Sequence, residues 1–193
     1  QEVMDSSGLG VTDPGLAPLV EKRISAVIGA LNEMVHGFDF ARLLTLYYKA
    51  HCAGDDETKA KVLKWFRGEY ATKTEARQEL GVNIVITDDD WYEYLKLFAC
   101  FLEQAGYAGM LILIDELVNI YKIPNAITRQ YNYEKILTMY NDAMQGKAQY
   151  LGFILCGTPQ CMEDPRRGVY SYEALRSRLA EGHFSGDCLL YTS

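Results

Sequence analysis

Residues 110–116 read Met110-Leu111-Ile112-Leu113-Ile114-Asp115-Glu116, and this stretch decides the fold. Five apolar residues follow one another without alternation, which is how a strand buried on both faces of a parallel sheet reads. Two acids come directly after them. Downstream, helical spacing predicts a helix over about residues 128–145. A second apolar strand follows as Tyr150-Leu151-Gly152-Phe153-Ile154-Leu155-Cys156, then a final helix over about 172–180. Strand, helix, strand, helix at this spacing predicts a right-handed βαβ unit in an α/β sheet.

Working back towards the first residue, the pattern turns helical. Leu16, Leu19, Val20, Ile24, Val27, Ile28, Leu31, Met34 and Val35 recur at helical spacing and predict an amphipathic helix over about 15–35. Further helices are expected over 38–53, closed by Gly54, over 57–70, and over 74–80, stopped by Gly81. A last one runs from Trp91 to about Ala105, before Gly106. Residues 1–14 are rich in Gly, Ser and Asp and read as loop. Residues 81–86 are too short to classify by period. Thr87-Asp88-Asp89-Asp90 carries three carboxylates in a row. Capping, by Thr87 or Asp88, accounts for the whole cluster without the missing ligands a metal site would need. The expected organisation is a helical segment, 1–106, then an α/β part, 107–187.

Composition narrows the class. With 193 residues the chain has room for a sizeable core, and 49% hydrophobic with 23% charged residues is ordinary for a soluble globular protein. The net charge of -7 gives no global basic footprint for nucleic acid. No apolar run approaches the roughly 20 residues a membrane helix needs. Five scattered cysteines form no C-x-x-C pair, and the expectation is reduced, cytosolic thiols acting mostly as small core residues. His36, His51 and His183 are too scattered for a triad or a metal site, and no Ser or Cys lies in a nucleophile elbow.

The chemistry converges on the acids after the first strand. A buried central strand ending in Asp-Glu is the Walker B pattern, and it delivers two carboxylates to the edge of the sheet where open α/β folds bind ligands. Asp115 is placed to hold Mg²⁺, and Glu116 to act as general base on the water that attacks a γ-phosphate. The bland alternative is that both acids cap the next helix. The second strand ends in Leu155-Cys156-Gly157-Thr158-Pro159, where AAA+-type ATPases keep a polar sensor. Thr158 is the candidate, set against a plain turn built by Gly157 and Pro159. Beyond it, Arg178 first and Arg176 second are candidates to reach a neighbouring subunit's γ-phosphate, because Arg is always charged and pairs with phosphate bidentately. One exposed helix face is the equally plain alternative.

From about Trp91 to Phe184 the chain resembles one family more closely, the P-loop ATP-binding proteins of bacterial BREX phage-defence systems. The carrying residues are Gly106-Tyr107-Ala108-Gly109, Leu111 to Leu117, Arg129, and Tyr133-Glu134. They continue with Gly152 to Gln160, Glu163-Asp164-Pro165-Arg166-Arg167-Gly168, and Tyr172 to Leu179. The resemblance implies a P-loop (AAA+-like) parallel-sheet core with a large helical segment before the Walker B strand. It also implies ATP and Mg²⁺ as cofactors, cytoplasmic action, and other defence proteins or copies of itself as partners, with DNA contact through regions outside this chain. The sequence departs from the family in one respect: no G-x-x-x-x-G-K-[ST] occurs in it. The backbone cradle for the β- and γ-phosphates is therefore missing here. The expectation is an internal piece of an ATPase, inactive alone.

Cys188-Leu189-Leu190-Tyr191-Thr192-Ser193 fits no helix or strand period. Read back through the genetic code, it can be written as a sequence that resembles the end of a transposon adapter used in sequencing libraries, so residues 188–193 are expected to be a non-native tail, set against a real, short terminal tail. Three other readings stay open. They are a regulatory NTPase of the signal-transduction type, a catalytically inactive scaffold, and a helical interaction module joined to an unrelated α/β piece.

Overall fold

The computed structural model describes residues 2–180; the segment expected to be a tail lies outside them. The chain divides between Met110 and Leu111 into two compact units.

The first unit is helical: α1 (Glu2–Ser7), α2 (Leu16–Leu31), α3 (Gly37–Ala53), α4 (Asp56–Phe66), α5 (Lys73–Leu80) and α6 (Trp91–Gln104). Residues 1–14 are not all loop, because α1 forms within them. The hydroxyls of Ser6 and Ser7 both donate to the Val3 carbonyl, one turn back along it. The stops at Gly54 and Gly81 hold, each glycine adopting a left-handed conformation with φ near 70°. α2 ends four residues before the expected position, and His36, with φ 60, turns the chain into α3.

The core of this unit gathers Leu31, Phe40, Leu43, Val62, Trp65, Tyr94 and Leu97. Phe40, with no exposed surface, meets Phe66 and Phe98 edge-on at 5.1 and 4.9 Å, a favoured aromatic arrangement. Residues 82–86 form neither helix nor strand. Val82 and Val85 drop into the helical core, and Trp65 Nε1 donates to the Ile84 carbonyl at 2.8 Å. Before α6, Asp90 takes the N-cap position without bonding a helix N–H. Its Oδ1 instead accepts from the backbone and hydroxyl of Thr87, at 2.6 and 3.0 Å. Neither Thr87 nor Asp88 is the cap; the acidic run is a turn stitched largely to itself.

The second unit contains β1 (Met110–Ile114, its first residue at the division), α7 (Val118–Lys122), α8 (Ala126–Met144), β2 (Leu151–Leu155), α9 (Pro159–Glu163), a 3₁₀ turn (Val169–Ser171) and α10 (Glu173–Ala180). β1 and β2 pair as a two-stranded sheet. The Cys156 amide donates to Ile114 and the Leu117 amide donates to Cys156, so the C-terminal ends of the two strands meet, as in a parallel pair. The chain is thus mostly helical with a small parallel sheet, compatible with the α/β class.

One expectation about β1 fails. Its burial alternates, with Leu111 58% and Leu113 66% exposed. Two strands cannot cover both of their own faces: Met110, Ile112 and Ile114 are half-buried, while Leu111 and Leu113 face outward. The cysteines also depart from expectation. Among the described residues only Cys161 is buried; Cys100 is half-buried, and Cys52 and Cys156 are exposed thiols. Among the described residues no helix is long and apolar enough to cross a membrane.

Candidate functional site

Asp115 and Glu116 leave β1 on an exposed turn pinned from both sides. Ile114 accepts from the Cys156 amide at 2.9 Å, and the Leu117 amide donates to the Cys156 carbonyl at 3.0 Å. One residue at the end of β2 therefore brackets the two acids. Asp115 Oδ1 accepts from the Glu116 amide at 2.8 Å. Glu116 has φ 57, a left-handed conformation costly for a residue with a Cβ and often found at functional sites. Its Oε2 accepts from Asn119 Nδ2 at 3.1 Å.

Thr158 follows Cys156 by two residues and so lies at the same end of the sheet. It is the N-cap of α9, its Oγ1 accepting from the Cys161 amide at 3.4 Å. The hydroxyl proton remains for another acceptor. Gly157 allows the close approach: a Cβ there would stand 2.5 Å from Cys161 Sγ and 3.2 Å from Leu117 Cβ.

The two arginines of α10 differ. Arg178 Nε donates to Asn141 Oδ1 of α8 at 2.9 Å, and its Nη1 to the Ala174 carbonyl at 2.8 Å. Arg176 is exposed. The structure thus brings Asp115, Glu116 and the Thr158 turn to one end of the sheet, while Arg178 is bound to its own unit.

A second network escaped any assignment of roles from sequence. Arg129, 8% exposed, donates from Nη1 to the Ile123 carbonyl at 2.7 Å. Arg167 Nη2 donates to the same carbonyl at 3.1 Å, and its guanidinium lies over the Tyr121 ring, 5.4 Å from the centroid. The Tyr133 hydroxyl donates to the Arg167 carbonyl at 2.6 Å. Asp164 Oδ1 accepts from the amides of Arg166 and Arg167, which holds its carboxyl below the usual range. Tyr121 donates to Asp164 Oδ2 at 3.3 Å. Arg129, Tyr133 and the run Asp164 to Gly168 had stood out only as carriers of a family resemblance. In space they fasten the end of α7 to the turn after α9.

A family model described as BREX system ATP-binding protein BrxC/D matches residues 1–190. The chain belongs to this family. No curated relative and no solved structure matches it. For a member of an ATP-binding family, the donor set at residues 115–116 can be tested against Mg²⁺. Among the described residues no three or more His, Cys, Asp or Glu side chains gather to cage a metal. Mg²⁺ does not need such a cage, because it takes one or two carboxylates, keeps several waters, and completes its shell with substrate phosphates. Hard carboxylate oxygens on an exposed turn fit that requirement.

Proposed function

We propose that this BREX family member carries the ion-holding and water-orienting part of a P-loop, AAA+-like ATPase core acting in anti-phage defence. The observation that carries the reading is the bracket around Asp115 and Glu116. Two backbone hydrogen bonds to Cys156 set these acids at the C-terminal ends of parallel strands, beside the Thr158 turn, and open α/β folds bind ligands at that edge.

Each residue then has a task. Asp115 holds Mg²⁺, which when bound with ATP offsets the charge of the β- and γ-phosphates. Glu116 accepts the proton of the attacking water. Thr158 turns its remaining hydroxyl proton towards the γ-phosphate. The role towards a neighbouring subunit's phosphate passes from Arg178, whose fork is bound to Asn141 and Ala174, to the exposed Arg176. Residues 1–106 form a helical segment placed before the acid strand, and 107–187 form the core part. No phosphate-cradling G-x-x-x-x-G-K-[ST] occurs in residues 1–193, so the cradle is assigned to sequence beyond this chain, and the chain alone is expected to hydrolyse no ATP. Partners are other defence proteins or further copies, DNA contact falls to regions beyond the chain, and the site of action is the cytoplasm.

The test begins with long reads of the source DNA. An upstream strand followed by G-x-x-x-x-G-K-[ST] supports the reading, and so does a frame that departs from Cys-Leu-Leu-Tyr-Thr-Ser after Asp187 for the tail. In the complete protein, Asp115→Ala and Glu116→Gln are then expected to abolish Mg²⁺-dependent ATP hydrolysis. A complete frame without the loop, or unchanged turnover in both variants, hands the function to the inactive-scaffold reading. The structural duties of Arg178 and of the Thr158 cap are what favour that second reading.

A further inference from the structure

We propose that Asn119 is a positioning residue for Glu116, fixing which carboxylate oxygen faces the attacking water; this rests on the ATPase reading above. Asn119 Nδ2 donates to Glu116 Oε2 at 3.1 Å, which leaves Oε1 for the water. An amide is suited to the task, since it donates without carrying charge and does not compete for the proton.

The rest of the segment holds still the two ends of this contact. On the Glu116 side, the backbone is set by its left-handed φ and by the bond from its amide to Asp115 Oδ1. On the Asn119 side, α7 is fastened at both ends. Leu117 donates to Cys156 at its start, and the Ile123 carbonyl after its end receives both Arg129 and Arg167. Midway, Tyr121 is held by Asp164 and accepts from Gln160 Nε2 at 3.2 Å. Asn119 therefore reaches Glu116 from a fixed base rather than from a swinging loop. Both side chains are exposed, and an exposed hydrogen bond adds little to stability. The contact acts on orientation.

The experiment uses the complete protein that contains this chain, with steady-state ATP hydrolysis in Mg²⁺ and thermal unfolding as a control. Asn119→Ala is expected to lower kcat by roughly tenfold to a hundredfold, the effect of a small misplacement of a reacting group, with KM for ATP and the unfolding midpoint unchanged. Asn119→Gln, which keeps the amide donor, is expected to recover most of the loss, and Asn119→Asp to lose more than Ala through repulsion. Wild-type or raised kcat in Asn119→Ala, or a change confined to KM, overturns the proposal. Glu116→Gln separates the two levels. If it leaves turnover intact, the ATPase role of Glu116 falls and this inference with it. If it abolishes turnover while Asn119→Ala does not, this inference alone falls.

Discussion

The hydroxyl of Tyr133 donates to the carbonyl of Arg167 across 2.6 Å, tying the buried middle of α8 to the turn after α9. Tyr133→Phe keeps the ring and leaves that carbonyl without its donor. The carbonyl is part-buried, so the expected loss is about 0.5–1.5 kcal/mol, the net contribution of a typical hydrogen bond, read from the midpoint of denaturant unfolding. An unchanged midpoint would mean that water reaches the carbonyl and the tie carries no weight.

The same phenol gives a pH window. Burial raises the Tyr133 hydroxyl to about 12 from an ordinary 10, against the pull of Arg129 and Arg167. The folded state therefore keeps its proton longer than the unfolded state. The stability this contributes is complete below pH 10 and is lost as pH rises from 10 towards about 12. Alkaline unfolding followed by circular dichroism should show a destabilisation in that window, and the Tyr133→Phe variant should lack this part of it.

Arg129 is the sole charged residue buried among those described, and it shares the Ile123 carbonyl with Arg167. Arg129→Met retains much of the apolar volume and removes a charged donor, at an expected cost of about 1.5–3 kcal/mol. Arg129→Lys is expected to recover only part of this, because an ammonium lacks the planar fork of the guanidinium. Hydrogen exchange should localise the effect. The amides of α7 should exchange faster in Arg129→Met, and equal exchange across the whole unit would show that Arg129 does not act on α7 in particular.

What the sequence disclosed and what it hid follow from how local each signal is. The stops at Gly54 and Gly81, and the acids after β1, are written in adjacent residues, and they are where expected. α7 and α9 have five residues each, too few for any period to show. Residues 82–86 are bonded to Trp65, 19 positions before Ile84, and Arg178 to Asn141, 37 positions away. Pairings at such range leave no mark in the local pattern. β1 misled in a different way: five apolar residues state what a strand can bury, not how much of it a given stretch of chain covers. Asn119 carried no signal, since an Asn three residues after an acid is unremarkable until a helix turn brings the two together.

Gly168 closes the turn that starts at Asp164. A Cβ at this position would lie 2.8 Å from the Asp164 nitrogen, the Asp164 oxygen and the Met162 oxygen. All three are backbone atoms, so no flexible side chain can move aside. Gly168→Ala should therefore cost about 1–3 kcal/mol or more, the range for forcing atoms into filled space. It should also free the Asp164 carboxyl from the amides of Arg166 and Arg167. Because those bonds hold the carboxyl below its usual range, the wild type keeps their contribution above the ordinary Asp value and loses it as pH falls through the lowered one. The variant should lose that acid-side dependence, and NMR titration of the Asp164 carboxyl would report it directly.

Trp65 offers a comparable test in the helical unit. Its indole is 1% exposed, packs edge-on against Tyr94 at 5.3 Å, and donates to Ile84 within the irregular run 82–86. Trp65→Phe keeps an aromatic in the core and deletes the donor. If the hydrogen bond is what holds the run against the helices, amide exchange should rise first at residues 82–86, with a global loss of about 1–3 kcal/mol from the orphaned carbonyl. If Val82 and Val85, both buried, hold the run by packing alone, exchange there should stay at the wild-type level while Val85→Ala loosens it. The two variants together separate a polar anchor from an apolar one in a segment that neither helix nor sheet bonding stabilises.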